Sequence, residues 1–178
     1  PFIKDVGSPA ADPLVLGVGG TVLNADFTTG QYQSETAWSG SGGGFSKVYP
    51  RPDYQNGANP RAGRGVPDIS YNGGDPNAFM IAWYPGCADG SLGCAGDGLF
   101  WEFFGTSAGS PQWAGLAALT DQLANKRVGF INDSLYRLAK TNQYSKDFHD
   151  ITDGNNSFDS GNGVITGFNA NKNWDAVT

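Results

Sequence analysis

The sequence predicts an α/β fold, because short apolar strand segments are followed by one long and one short helical segment. The chain has 178 residues, a length that fits a single domain or a large part of one. Its 27 glycines and 10 prolines predict long loops, whereas an aromatic content of 13% supplies the apolar surface that a folded core needs. We therefore expect a loop-rich globular domain.

Four segments carry strand signals. Residues 14–18 form an apolar run that ends at a pair of glycines, a pattern typical of a short buried strand. Three more strands are predicted from apolar and aromatic runs at residues 66–71, 78–84 and 99–104. We expect residues 24–65 to be mostly loop.

Two helices are predicted in the second half of the chain. One face of the first follows the i, i+3, i+4, i+7 spacing and consists of Trp113, Leu116, Ala117, Thr120, Leu123 and Ala124. The second is expected from Asp133 or Ser134 to about Lys140, with Asn132 or Asp133 available as its N-cap. The glycine- and asparagine-rich sequence beyond it predicts loops.

Charge and cysteine content favour a secreted protein. The net charge is −6 and the pI is near 4.5, which argues against nucleic acid or an anionic membrane as the main partner. No apolar run is long enough to span a membrane. Cys87 and Cys94 are expected in the hairpin connection between the last two predicted strands, and a disulfide between them is favoured over two free thiols or a metal or redox pair. Because the N-terminus has neither an initiator Met nor a signal-peptide pattern, we expect the chain to begin inside a longer precursor.

The most informative segment is residues 105–111, Gly-Thr-Ser-Ala-Gly-Ser-Pro. It places Ser107 at the junction between an apolar strand and a helix, where backbone N–H groups and the helix dipole can support a developing oxyanion. Pro111 is expected in the first helical turn. These features suit a nucleophilic serine, although an ordinary serine N-cap would use the same residue type.

Four ordered segments resemble the sedolisins, the serine-carboxyl peptidases that are acid-acting relatives of subtilases. The serine segment includes Gly105-Thr106-Ser107, Pro111 and Ala114-Gly115. The other matches are Ala11-Asp12-Pro13 with Val18-Gly19-Gly20-Thr21; Ser41 to Ser46 with Pro52 to Gln55 and Arg64 to Ser70; and Asp150 to Asn156 with Asn173-Trp174-Asp175. The resemblance covers nearly the whole chain and implies a subtilisin-like parallel sheet with flanking helices, of which residues 1–178 would be the C-terminal part of one catalytic domain.

The resemblance implies a secreted endopeptidase that acts on proteins or peptides at acidic pH, with Ser107 as nucleophile. A subtilase triad needs a His before its Ser, whereas the only histidine, His149, follows Ser107 and is expected to be a loop residue with a local hydrogen bond. The family's Glu–Asp dyad and oxyanion Asp would lie upstream of Pro1. We do not assign those roles to Asp5, Asp12, Glu35 or Glu102. The chain alone is therefore expected to be inactive and to pair with the N-terminal half of the same domain.

A calcium-binding segment is expected at about residues 149–178. The resemblance implies one structural Ca²⁺ bound by Asp150, Asp175, the carbonyl of Ile151 and the carbonyls of Asn171 and Asn173. Oxygen donors of this kind suit calcium. The family pattern is Gly-x-Gly-x-Asp, so here asparagines must adopt a turn geometry that glycine takes more easily. A solvated Asp/Asn turn is the alternative, and Asp153 and Asp159 are further candidate ligands.

Other readings remain open from the sequence. Gly42, Gly43 and Gly44 could form an extended wall for a peptide substrate or a simple turn. Trp38 could line a substrate subsite or pack internally, and Asp68 is expected to be structural. Besides the sedolisin hypothesis, the chain could be a non-catalytic calcium-stabilised binding module or a subtilase fragment.

Overall fold

A computed structural model of the chain describes residues 5–74, 80–84 and 99–178. Strand β1 (Val18–Ala25) is the central strand of a three-stranded sheet and has one strand on each side. Strand β2 (Tyr32–Ala37) pairs with β1 antiparallel, and β5 (Ile69–Asn72) pairs with it in parallel. The parallel pair carries a helix, so the expectation of an α/β fold is confirmed.

The first strand begins later than the apolar run predicts. The chain turns at residues 13–15, residues 16 and 17 have no regular structure, and Leu14 is 78% exposed. The cause is the Asp12 carboxylate, which accepts a hydrogen bond from the Leu14 N–H at 2.8 Å and so stabilises a turn. The strand predicted at residues 14–18 is therefore wrong in position.

Residues 24–65 contain more regular structure than expected. Besides β2, strands β3 (Gly44–Pro50) and β4 (Gly63–Val66) form an antiparallel pair, and a short 3-10 helix, Asp53–Gln55, lies between them. The expectation of mostly loop is wrong. Strands β2 and β3 have no apolar pattern of their own and form because they pair with β1 and β4. The strand predicted at residues 66–71 is divided between β4 and β5.

Two further strands pair as the sequence suggests. Strand β6 (Met80–Tyr84) is antiparallel to β7 (Leu99–Phe103). Cys87 and Cys94 lie outside the described residues, so their disulfide stays a prediction.

The predicted helices are present. Helix α1 spans Thr106–Ala124 and α2 spans Asn132–Ala139. The expected N-cap of α2 is wrong: Ile131 precedes the helix, and no side chain caps it. The Asn132 amide instead points inward and donates to the Val15 carbonyl at 3.1 Å.

The C-terminal region is less irregular than expected. It contains a four-residue helix, α3 (Tyr144–Asp147), and a small hairpin of β8 (Phe158–Asp159) and β9 (Val164–Ile165). A small apolar cluster formed by Ala37, Ile151, Ala170 and Val177, with Phe168 beside it, joins this region to β2. The last residues of the chain are thus part of the core.

Helix α1 leaves much of its apolar surface uncovered by the described residues. Its buried residues are Ala108 and Gly109, which approach β1 and β5 closely. By contrast, Leu119 and Leu123 are 57% and 89% exposed, and Leu116 is 40% exposed. Among the described residues, no helix has the length and apolar character needed to cross a membrane.

A buried ion pair between Arg64 and Asp68 joins separate parts of the fold. The two side chains have no exposed surface, and the guanidinium donates to both carboxylate oxygens, at 2.8 and 2.5 Å. The same carboxylate accepts hydrogen bonds from the Gly17 N–H at 2.8 Å and from the Tyr136 hydroxyl at 3.0 Å. Asn132 adds a bond at 3.2 Å, so the turn before β1, β4 and α2 all meet at one carboxylate.

The electrostatics of Asp68 explain this number of partners. Burial raises the pKa of the Asp68 carboxyl, while the hydrogen bonds and charge of Arg64 act in the opposite direction. Gln55 is also buried and donates to Asp68 at 3.3 Å and to the Gly65 carbonyl at 2.8 Å. The structural role expected for Asp68 therefore has a clear physical basis.

We expect Asp68→Asn to lower the free energy of unfolding by about 3–5 kcal/mol, because it leaves the buried Arg64 without its counter-charge. Urea denaturation measures this loss. The control is Asp133→Asn, which removes an exposed pair with Arg137 at 3.3 Å and should change stability by less than about 1 kcal/mol. Equal losses in the two variants would contradict the prediction.

Candidate active site and ion-binding loop

Ser107 lies at the start of α1, directly after the turn that follows β7. Gly105 precedes the helix with a φ of 93°, in the left-handed region that favours glycine. The Gly105 N–H donates to the carbonyl of Gly73. Ser107 is exposed and is the second residue of a 19-residue helix. Its hydroxyl therefore reaches solvent at the positive end of the helix dipole.

Ser107 does not serve as an N-cap. Gly105 occupies the capping position, and no side chain caps the helix. The amides of Thr106 and Ser107 have no i−4 carbonyl within the helix, so they can donate to an oxyanion beside the hydroxyl. Pro111 lies one turn further into the helix than expected, and without an N–H it cannot bond to the Ser107 carbonyl.

Trp38 packs against glycine backbone next to this turn. A Cβ atom on Gly20 would lie 2.7 Å from the ring, and one on Gly73 would lie 3.2 Å from it. A Cβ on Gly105 would approach the same ring to 3.8 Å. A side chain at Gly20 or Gly73 would therefore have to displace the indole, whereas a Cβ at Gly105 would make an ordinary van der Waals contact with it.

Gly43 and Gly44 are packed rather than open. A Cβ on Gly43 would lie 3.0 Å from the Val66 carbonyl oxygen, and one on Gly44 would lie 3.2 Å from the Phe168 ring. Only Gly42 of this run is exposed. These contacts account for the glycine run by close approach within the fold.

His149 pairs with a distant residue and not with a local one. Its Nδ1 lies 3.6 Å from Glu35 Oε2, and its ring lies 4.0 Å from the ring of Tyr32. Glu35 also accepts a hydrogen bond from the Thr21 hydroxyl. His149 lies in a loop, as expected, but its contacts among the described residues include no hydrogen bond to a sequence neighbour; β2 brings Glu35 to it from a distant part of the sequence.

The fold brings together the two segments of the expected calcium site. Asp150 Oδ1 accepts a hydrogen bond from the Asn173 N–H at 2.9 Å. Asn173 has a φ of 65°, the left-handed turn geometry that the asparagine-for-glycine change requires. Ile151 is buried beside Asp150. The loop at 150–151 and the loop at 171–175 thus lie together; they are called the ion-binding loop after the role that the family resemblance implies and that is proposed below.

Backbone amides fix the carboxylate of Asp175. Its Oδ2 accepts from the Asn171 N–H at 2.6 Å, and its Oδ1 accepts from the amides of Val177 and Thr178 at 2.9 and 3.0 Å. Burial raises the pKa of Asp175, the backbone amides lower it, and the negative charge of Asp150 raises it further. The mutual repulsion of the two carboxylates would be relieved by a cation.

Sequence reasoning missed Tyr144, whose hydroxyl donates to Asp150 Oδ1 at 2.8 Å. Burial, followed by this hydrogen bond, raises the pKa of the tyrosine. The residue belongs to α3, which carried no sequence signal. Asp153 and Asp159 accept hydrogen bonds from the backbone amides of Gly154 at 2.8 Å and Gly161 at 2.9 Å, and their role as further ligands stays a prediction.

The described residues contain no group of three or more His, Cys, Asp or Glu side chains that could hold a metal ion. Two carboxylates and main-chain carbonyls are a different donor set, one that suits calcium rather than a transition metal. The ion-binding loop therefore fits the donor chemistry of calcium.

Similarity to known proteins agrees with this geometry. Kumamolisin of Bacillus sp. (strain MN-32) is 35% identical over 97% of this chain, and sedolisin of Pseudomonas sp. (strain 101) is 30% identical over 97%. Tripeptidyl-peptidase 1 of Dictyostelium discoideum is 32% identical, also over 97%. No family model matches the chain.

A solved structure shows the same fold. Pseudomonas sedolisin, a serine-carboxyl proteinase complexed with two molecules of pseudo-iodotyrostatin, superposes with a TM-score of 0.75 at 27% identity over 96% of this chain. The class defined by the fold and the relatives is therefore the serine-carboxyl peptidase class, with an α/β subtilisin-like architecture. The chain belongs to the sedolisin family.

The chain matches only part of each relative. It covers 30% of kumamolisin, 28% of sedolisin and 27% of tripeptidyl-peptidase 1. It covers 44% of the solved sedolisin chain.

Proposed function

We propose that this chain supplies the nucleophile of a secreted serine-carboxyl endopeptidase that cleaves proteins or peptides at acidic pH. The observation that carries the proposal is the placement of Ser107, exposed at the N-terminus of α1 behind the left-handed Gly105. A serine so placed exposes its hydroxyl next to helix N–H groups that have no carbonyl partner within the helix.

The chemistry follows from these positions. The Ser107 oxygen attacks the scissile carbonyl, and its proton passes to a carboxylate base. The negative charge that develops on the carbonyl oxygen is stabilised by the amides at the start of α1. A carboxyl group then returns a proton to the leaving amine, and water releases the acyl group from Ser107.

The base and the oxyanion carboxylate would come from the part of the catalytic domain that this chain does not include. That proposal is supported by the limited share of each relative that the chain covers. It is also supported by the exposed leucines of α1, which a preceding half of the domain would cover. Residues 1–178 would then be the C-terminal part of one domain.

In the complete catalytic domain, we expect Ser107→Ala to abolish peptide hydrolysis while the melting temperature changes little, because the exposed hydroxyl is not a core group. The rate should peak in acid and fall toward neutrality, since a carboxyl pair must keep one proton to protonate the leaving group. A pH–rate profile with a peptide substrate tests this.

His149→Ala is the matched control for that profile. The proposed mechanism gives His149 no role, and its side chain lies beside Glu35. We therefore expect the variant to keep both the acid optimum and the rate. Loss of activity in this variant, together with an optimum that rises through the imidazole pKa near 6.5, would refute the carboxylate mechanism.

The isolated chain is expected to show no peptidase activity at any pH, and its exposed α1 leucines should bind a hydrophobic dye. Addition of the separately purified N-terminal half should reduce dye fluorescence and restore hydrolysis. Robust proteolysis by the isolated chain would overturn the proposed division of the catalytic groups.

We further propose that residues 149–178 bind one structural Ca²⁺. Asp150 and Asp175 would provide the charged oxygens, and the carbonyls of Ile151, Asn171 and Asn173 would complete the protein ligands. A bound ion would neutralise the carboxylates and tie the two segments of the ion-binding loop together. The left-handed Asn173 and the amides that fix Asp175 support this assignment.

Chelation should lower the melting temperature of the complete domain by roughly 5 °C, because an ion bound only by the native state stabilises it. Asp175→Asn should remove this sensitivity, whereas Asp53→Asn, in the exposed 3-10 helix, should keep it. Calorimetry with and without chelator provides the measurement. Identical melting curves for the wild-type protein under both conditions would exclude the calcium site.

A further inference from the structure

Ser41 joins the C-terminal segment of the chain to the central strand of the sheet. Its Oγ accepts a hydrogen bond from the Gly20 N–H at 2.8 Å and donates one to the Val177 carbonyl at 3.0 Å. Both bonds are partly buried, and Val177 has no exposed surface. One hydroxyl thus connects segments that lie far apart in the sequence.

On one side, this connection leads to the ion-binding loop. The amide of Val177 donates to Asp175 Oδ1 at 2.9 Å, while its carbonyl accepts from Ser41. The neighbouring Ala176 carbonyl accepts from the Asn156 amide at 3.0 Å. Side chains therefore bind both N–H and carbonyl groups of residues 175–178. A shift of Asp175 would move the Val177 carbonyl with it.

On the other side, the connection leads to the turn that carries Ser107. Gly20 packs so closely against Gly73 that a Cβ on Gly73 would lie 3.0 Å from the Gly20 Cα. The Gly73 carbonyl accepts the Gly105 N–H, which sets the position of the glycine before α1. A Cβ on Gly20 would also lie 3.5 Å from Thr106 Cγ2. The connection from Ser41 to the helix start runs through the backbones of Gly20, Gly73 and Gly105, with the rigid Trp38 ring packed over them, so long flexible side chains do not absorb a displacement.

We propose that Ser41 is a positioning residue. Through its two hydrogen bonds it fixes the packed backbones of Gly20, Gly73 and Gly105, and therefore the position of Ser107, relative to the ion-binding loop. The role rests on the proposed function, in which Ser107 is the nucleophile. Ser41 does not contact the reacting atoms. Its effect is on the geometry of attack, and small misplacements of a nucleophile are costly to the chemical step.

In the complete catalytic domain, we expect Ser41→Ala to lower kcat roughly ten-fold with KM nearly unchanged. Ser41→Thr, which keeps a hydroxyl donor and acceptor, should restore most of the rate. The matched control is Ser46→Ala: Ser46 is buried in β3, and its Oγ accepts from the amides of Val48 and Tyr49 at 3.1 and 3.0 Å. That variant should lower the melting temperature and leave kcat unchanged.

Hydrogen exchange gives a readout that does not depend on activity. Ser41→Ala should speed exchange of the amides of Gly20 and Gly105, whereas Ser46→Ala should not. A double-mutant cycle with Asp175→Asn should give a kcat for the double variant close to that of the slower single variant, because the two changes break one connection.

The outcomes separate the two proposals. An inactive Ser107→Ala combined with an unchanged kcat and unchanged exchange in Ser41→Ala would overturn the positioning role alone. Equal losses of kcat in Ser41→Ala and Ser46→Ala would also overturn it, since any destabilised variant would then behave alike. Hydrolysis by Ser107→Ala at the wild-type rate would overturn the proposed function.

Discussion

The buried carboxylate of Asp68 is the constraint on which the rest of the structure depends. It is paired with Arg64, and neither side chain has exposed surface. Because an unpaired charge there would be costly, the chain must bring every partner to it at once. Those partners come from the turn before β1 and from α2, through Gly17, Asn132 and Tyr136. This requirement fixes β1 relative to α2.

Glycine backbone provides the second level of organisation. Gly20 and Gly73 lie in contact, and the ring of Trp38 covers them. Their close approach brings the Gly73 carbonyl to the Gly105 amide, so the start of α1 is set by main-chain packing. A helix start placed in this way can present an exposed serine in a fixed orientation, which is what nucleophilic catalysis requires.

The ion-binding loop and the serine turn are parts of one connected structure. The backbone of residues 175–178 is tied to Asp175 through its amides and to β1 through Ser41. Hydrogen bonds between these segments give a physical route by which a metal-stabilised loop would support catalysis. Such coupling needs no large motion, because packed elements move together.

The sequence by itself determined the α/β class, both main helices, the strands β6 and β7, and the placement of Ser107 between a strand and a helix. These features follow from local signals: the periodicity of apolar residues and the glycines and prolines that end helices and strands. It also indicated the two halves of the ion-binding loop. Only the tertiary structure decided the start of β1, the existence of β2 and the partner of His149. It also revealed Tyr144 beside Asp150 and Ser41 beside Gly20. The existence of β2, the partner of His149 and the position of Ser41 depend on contacts between residues distant in sequence, which no local pattern encodes. The start of β1 and the Tyr144–Asp150 contact are local in sequence, but the apolar pattern did not indicate them.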